Sequence, residues 1–261
     1  MNFRSSISKN IMSVREAIKD LKHSKFLGGR LLYRFFRQCR IGIDVLSNRR
    51  FRAETLTRLR FRNRSHQRST YTSANRYPLV FKACAEYLSS IAPPARLLSF
   101  GCSTGEEVAT LGHYFPNAAI VGVDINDWSL RQCRKNYKEQ RFSFLQRQSQ
   151  ALAAAENFDA IFSMAVFQRT ENRTNPENST AQGFLFEQFA AEIAILHKKL
   201  KPGGLFVIDH ADFSFMDTGC AKHYTPLPFI NNRLRRERPA FDRNNLKIAE
   251  SQYYYRVFVK S

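Results

Sequence analysis

The feature that most restricts this chain is an alternation that begins near residue 77. Short apolar runs of strand length take turns with amphipathic stretches of helix length, and the links between them are brief. Arg76-Tyr77-Pro78 opens a helix, because proline suits a first turn. Leu79, Phe81, Cys84 and Leu88 form its apolar stripe, and Pro93-Pro94 ends it. Residues 96–100 then read as a buried strand, 101–105 as a loop and 106–115 as a helix. A second strand at 119–123 leads into a helix at about 128–140, which Asn126 or Asp127 can cap. The pattern continues with a strand at 142–146, a short helix at 151–155, a strand at 159–162 and a long helix at 184–200. Lys201-Pro202-Gly203-Gly204 stops that helix, 205–208 is a fifth strand, and 253–259 alternates as the last. Strand and helix in turn predict an α/β fold, a parallel sheet covered by helices on both faces. Ligands of such sheets bind beyond the carboxyl ends of the strands, where strand order switches.

Charge divides the chain at nearly the same place. Residues 1–76 hold 19 Lys and Arg against 4 Asp and Glu, while residues 77–261 hold 22 against 18. The expected organisation is a basic segment, 1–76, mainly helical or partly disordered, and a domain over 77–261. Within the segment, Ile11, Val14, Ile18 and Leu21 recur at helical spacing. Leu27, Leu31, Leu32, Phe35 and Phe36 do the same, with Arg30, Arg34, Arg37 and Arg40 between them. Amphipathic helices of this kind pack on their own domain, lie on a membrane surface or face nucleic acid. Their charge points to an anionic partner: nucleic acid, an anionic membrane surface or an acidic protein. Residues 48–68 are rich in Arg and contain no nucleic-acid-binding motif.

Other classes are disfavoured by what the sequence lacks. No apolar run reaches the roughly 18–20 residues of a membrane span. The first 20 residues include Glu16 and Asp20 and do not read as a secretory signal. Five scattered cysteines without a CxxC pair argue against a disulfide framework or a cysteine-rich zinc site. The expectation is a reducing, cytoplasmic setting and no metal.

The loop after the first strand carries the chemistry. Gly101 and Gly105 flank small residues that let backbone approach a ligand. Glu106 and Glu107 occupy the first turn of the following helix, where a pyrophosphate would meet two carboxylates, and no P-loop is present. Asp124 ends the second strand 19 residues past Gly105, a position from which an acid accepts ribose hydroxyls. Small residues, an acid pair and a ribose-binding acid fit a nucleoside with a positive centre and no phosphate. S-adenosylmethionine is such a molecule.

The run 97–107, with its Gly101-Cys102-Ser103-Thr104-Gly105-Glu106-Glu107, resembles motif I of class I S-adenosylmethionine-dependent methyltransferases. Its wording is similar to the chemotaxis-receptor (CheR-like) methyltransferase family. Three further runs resemble that class in order: Val121-Gly122-Val123-Asp124-Ile125-Asn126, Phe158-Asp159-Ala160-Ile161-Phe162-Ser163-Met164, and 200–207 with its Lys-Pro-Gly-Gly turn. After the fourth strand the chain reads Met164-Ala165-Val166, where the chemotaxis enzymes carry Arg-Asn-Val. The resemblance implies a Rossmann-like fold with a mostly parallel seven-stranded sheet, and S-adenosylmethionine as cofactor. It implies roles as well. Gly101, Cys102, Ser103 and Gly105 would wrap the methionine part, and Glu106 would hold its amino group or a water. Asp124 would grip the ribose, Ile125 flank the adenine, and Gln148 or Ser149 meet the adenine amino group. Ser163, Met164 and Phe167 would line the acceptor side.

An amine or hydroxyl acceptor needs a base, and the candidates are His210 at the end of the fifth strand and Glu171 after the fourth. The expected acceptor is a small molecule or a protein side chain, with RNA second. The alternative is a non-catalytic domain that keeps the fold and binds an anionic partner through its basic segment. The loop also spells GxSxG, a hydrolase nucleophile elbow, but no HGGG-type oxyanion segment accompanies it.

Overall fold

The computed structural model describes residues 21–23, 27–61, 72–89, 94–169, 179–180, 183–227, 241–248 and 255–261. The chain packs as two compact units that divide between Leu56 and Thr57.

In the first unit a single 3-10 turn, Leu21–His23, precedes helix α1, Leu27–Ser47. Helix α2, Arg49–Arg60, follows at once, and the division between the units falls within it. Asn48 separates them, because its Oδ1 accepts the backbone N–H groups of Arg50 and Phe51 at 3.0 and 3.1 Å and so caps α2. The arginine-rich stretch read as motif-free is thus helical over residues 49–60. Of the periodic run Ile11 to Leu21, all but Leu21 lies outside the described residues.

The second unit holds the alternation. Helix α3 (Pro78–Leu88) leads to β1 (Arg96–Phe100), α4 (Glu106–Tyr114), β2 (Ala119–Asp124), α5 (Asp127–Asn136) and β3 (Phe142–Gln146). Then come α6 (Gln150–Ala154), β4 (Phe158–Met164), α7 (Phe186–Lys199), β5 (Leu200–Asp209), β6 (Tyr224–Pro226) and β7 (Val257–Lys260). The seven strands form one sheet in the order β3-β2-β1-β4-β5-β7-β6. The first five are parallel, and β7 runs antiparallel to β5 and β6. This is the Rossmann-like, mostly parallel seven-stranded α/β sheet that the family resemblance implies. Strand order reverses between β1 and β4, so the loop after β1 stands at the switch point.

Both faces of the sheet are buried, which is why its strands read as near-continuous apolar runs. On one face Phe81, Cys84, Val108, Leu111 and Cys133 from α3, α4 and α5 pack on Leu97, Ile120 and Phe162. On the other, Leu152, Phe189, Ile193 and Leu196 from α6 and α7 pack on Leu98, Val121, Ile161 and Phe206.

Several details differ from expectation, among them the last strand, which is Val257–Lys260. The buried stripe of α3 is Val80, Phe81, Cys84 and Leu88, and Leu79 faces solvent. Helix α5 ends at Asn136, because the exposed Lys138, Glu139 and Gln140 offer no apolar stripe to bury and Tyr137 turns extended. Strand β5 starts at Leu200 and absorbs the Lys-Pro-Gly-Gly run through a register shift against β4. Gly203 at φ 74° permits that irregularity, and Lys201 Nζ donates to Asp159 Oδ1 at 2.7 Å across it. Strand β6 has three residues and no alternation to betray it.

Candidate functional site

The loop between β1 and α4 is shaped by backbone that most residues avoid. Gly101, Ser103 and Gly105 all have positive φ, at 85°, 50° and 100°. A Cβ at Gly101 would collide with the Val166 side chain, and one at Gly105 would fall 2.6 Å from the Tyr137 ring. Glycine is therefore demanded here by φ and by protein neighbours, not by a ligand alone. The N–H groups of Gly101 and Cys102 both donate to Val123 O, at 2.7 and 2.9 Å, and Gly105 N donates to Cys102 O at 3.0 Å. Ser103 N donates to Asp124 Oδ2 at 2.9 Å. Cys133 Sγ donates to Ser103 O at 3.1 Å, so both buried cysteines of this region serve the loop.

Two carboxylates bracket the loop. Asp124, at the end of β2, also accepts Asn126 N at 2.7 Å through Oδ1. Burial pushes its carboxyl up to about 6, against the backbone N–H groups of Asn126, Ser103 and Ile125. Glu107 is the second: burial pushes it up to about 8, while the Ser99 hydroxyl, donating at 2.7 Å, and the Arg76 charge pull it down. The Cys102 thiol between them is held well above its ordinary range, first by its contact with Cys133, then by burial and by these carboxylates. Glu106 is partnered differently, accepting from Thr104 Oγ1 at 2.7 and 2.9 Å.

A second cluster sits at the end of β5. His210 has positive φ, and its backbone N donates to Asp209 Oδ1 at 2.7 Å. Its Nδ1 lies 3.2 Å from that same oxygen and 3.4 Å from the Tyr77 hydroxyl. Asp209 Oδ2 accepts from Arg256 Nη1 at 2.8 Å. One ring nitrogen serves one partner at a time: carrying a proton, Nδ1 donates to Asp209, and without it, Nδ1 accepts from Tyr77. Tyr77, Arg76 and Ser99 are site neighbours that reading the sequence missed. The segment bearing the first two is stapled to α4, where Asn75 N donates to Thr110 Oγ1 and Tyr114 donates to Asn75 Oδ1, both at 3.1 Å.

Of the other expected site residues, Ser163 and Met164 are interior. Ser163 is fully buried with its hydroxyl unpartnered among the described residues, and Met164 joins the core beside α3. Phe167 packs among Phe100, Phe184 and Phe189. On the far side of Asp124, Ile125 is half-buried, Gln148 hydrogen-bonds to Gln146, and Ser149 Oγ accepts Leu152 N at 3.1 Å as the cap of α6. Gly101, Cys102, Ser103, Gly105, Glu106 and Asp124 thus come together with Glu107 at one edge of the sheet, and His210 stands at the end of β5. Glu171 lies outside the described residues.

Residues 93–258 match the family described as methyltransferase domain. The chain belongs to this family. With it come the class I fold and S-adenosylmethionine as the cofactor of that fold. Among curated proteins, the chain is similar to malonyl-[acyl-carrier protein] O-methyltransferase of Priestia megaterium, 30% identical over 41% of this chain and 34% of that one. It is also similar to trans-aconitate 2-methyltransferase of Rhodopseudomonas palustris, 32% identical over 29% of this chain and 28% of that one. The matched part thus spans about a third of the length of these curated relatives. Among solved structures it resembles the plantazolicin methyltransferase BpumL in complex with SAH, at 14% identity and TM-score 0.39, covering 75% of this chain and 61% of that one. A TehB-like SAM-dependent methyltransferase from Corynebacterium glutamicum gives 15% identity and TM-score 0.36, over 68% and 86% of the two chains.

The residues present suit that cofactor. The N–H groups of Gly101, Cys102, Ser103 and Gly105 are already spent on protein acceptors, so the loop is no phosphate cradle. What it offers is acceptors: the carboxylates Asp124 and Glu106, with the Glu107 carboxyl beside them, matched to a ligand rich in hydroxyl and ammonium donors.

Proposed function

We propose that the protein transfers a methyl group from S-adenosylmethionine to a small molecule or a protein side chain, with RNA a second choice, and that residues 77–261 are its catalytic domain. When bound, the cofactor supplies a methyl group on a sulfonium, electrophilic enough that catalysis is mostly in-line positioning of the acceptor. The observation that carries the reading is the Asp124 carboxylate, anchored to Ser103 N at 2.9 Å beside the loop of positive-φ residues. Its remaining lone pairs face a ribose. Gly101, Cys102, Ser103 and Gly105 round the methionine part, and Glu106, with Glu107 behind it, meets the ammonium. Ile125 flanks the adenine, while Gln148 or Ser149 meets its amino group, and Ser163 and Met164 back the acceptor side through their strand.

For an amine or hydroxyl acceptor, His210 is the proton acceptor. With its Nδ1 proton donated to Asp209, the lone pair resides on Nε2. Glu171 is the second candidate. A carboxylate acceptor needs neither. The names of the two curated relatives, one for a malonyl-[acyl-carrier protein] and one for trans-aconitate, support an acid as acceptor. The Gly-Cys-Ser-Thr-Gly-Glu-Glu wording supports kinship with the chemotaxis-receptor enzymes, and with it a side-chain carboxylate. The scattered cysteines support a cytoplasmic setting. The basic segment, 1–76, supports an anionic partner.

Calorimetric titration with S-adenosylhomocysteine tests the site. Wild type should bind in the micromolar range and Asp124→Ala should lose it. Asp124→Asn keeps one acceptor oxygen for the loop, so it separates loss of the ligand contact from loss of the fold, which circular dichroism monitors. Folded wild type that binds nothing would sink the reading.

A further inference from the structure

Helix α1 turns a broad apolar face to solvent. Leu31, Leu32, Phe35, Phe36, Ile43 and Leu46 fall on less than half of the helix surface, and each is at least 40% exposed. Arg30, Arg34, Arg37 and Arg40 occupy the opposite half and are exposed too. Of the half-buried residues of α1, Tyr33, Ile41, Asp44 and Val45 lie on the arginine side, and Gly29 lies at its border. Folding therefore covers the wrong side for an ordinary surface helix and leaves the apolar one open among the described residues.

The composition of the two halves selects the occupant. An RNA would meet the arginines and leave two phenylalanines and four aliphatic side chains in water. A second copy would bring together two segments that each hold 19 Lys and Arg against 4 Asp and Glu. An anionic lipid surface satisfies both halves at once: the apolar face enters the headgroup–acyl boundary, and arginine stems reach back so that guanidinium groups meet lipid phosphates. At 21 residues α1 has the length to cross a bilayer, but no helix of the described residues is apolar enough to do so.

We propose that α1 is a membrane-surface helix that binds anionic lipid through its Leu31-to-Leu46 face. This rests on the reading of residues 1–76 as the part that meets an anionic partner, and it commits that partner to a lipid surface.

Flotation of the purified full chain with vesicles is the test, using phosphatidylcholine alone and phosphatidylcholine mixed with phosphatidylglycerol. The protein should float with the mixed vesicles only. Phe35→Glu/Phe36→Glu should weaken partitioning at least about tenfold, since it removes two buried rings and adds two anionic charges. Each of Arg34→Gln and Arg37→Gln should weaken it about fivefold. All these variants should keep the circular dichroism spectrum and the S-adenosylhomocysteine affinity of wild type. Should the double variant misfold, Leu46→Glu, at the most exposed apolar position, takes its place. Absence of flotation overturns the proposal, and so does flotation that survives Phe35→Glu/Phe36→Glu and Leu46→Glu. A heparin column separates the two readings. Retention on heparin without flotation keeps an anionic partner and removes lipid, with RNA as its heir. Loss of both removes the anionic partner as well.

Discussion

Helices α1 and α7 have the same kind of apolar periodicity and opposite fates. In α7, Phe189, Ile193 and Leu196 are buried against the sheet. In α1, Phe35, Ile43 and Leu46 stand in solvent. Spacing alone shows that a helix has an apolar face. What covers the face is decided by partners distant in sequence, or by a surface outside the chain. The polar halves hint at the outcome: α7 mixes Glu187, Gln188 and Lys198, whereas α1 sets four arginines against Asp44.

The contrast breaks most visibly in the core. Phe189→Ala should cost about 3–5 kcal/mol of stability, while Phe35→Ala should stay within about 0.5 kcal/mol of wild type in urea melts. Equal costs would mean that the α1 face is covered after all. Ion pairs give the next largest difference. Arg256→Met strands the buried Asp209 carboxylate, whose side chain is 3% exposed, and should cost about 3 kcal/mol.

Smaller still is the helix-end cation. Lys199 Nζ donates to the carbonyl oxygens of Leu152, Ala153 and Ala155 at 2.7–3.0 Å, which closes the C-terminus of α6. Lys199→Met should cost about 1–3 kcal/mol, and Lys198→Met, at an exposed position beside it, close to nothing.

Titration sharpens the comparison further. The folded Glu107 carboxyl titrates at about 8, above its ordinary 4.5, so the folded state binds more protons between those values. Stability from this group is full below pH 4.5 and is lost as pH rises through 8. Glu107→Gln should flatten that part of the pH–stability curve, and an unchanged slope would show that Glu107 is not its source. At the other extreme, the exposed Arg40–Asp44 pair, 3.9 Å apart, should be worth so little that Asp44→Asn shifts stability by less than about 0.5 kcal/mol.

Much of the sheet was legible because its signals are local. Strands β1 and β3 have the bounds that their apolar runs predict, and Asn126 caps α5 through Trp128 N at 3.0 Å. The loop glycines and Asp124 were legible for the same reason: a turn with positive φ and an acid at a strand end leave marks within a few residues. What was missed is long-range. The start of α7 at Phe186 is fixed by Asn245 Oδ1, which accepts Phe186 N at 2.7 Å from 59 residues away. Strand β6 exists only because β7 offers Tyr224–Pro226 an edge.

By itself, the sequence determined the alternation, the α/β class, the Gly101–Gly105 loop with Asp124, and the split between a basic first part and an ordinary second. Each follows from residue type and spacing inside a short window, where φ preference, periodicity and charge act. Only the tertiary structure decided that Tyr77 meets His210 across 133 residues, that Glu107 accepts the Ser99 hydroxyl while Glu106 accepts that of Thr104, and that Ser163 turns inward. It alone showed the apolar side of α1 uncovered among the described residues. Such facts depend on which surfaces close on which, and chain closure over long separations leaves no periodic trace in the residues that meet.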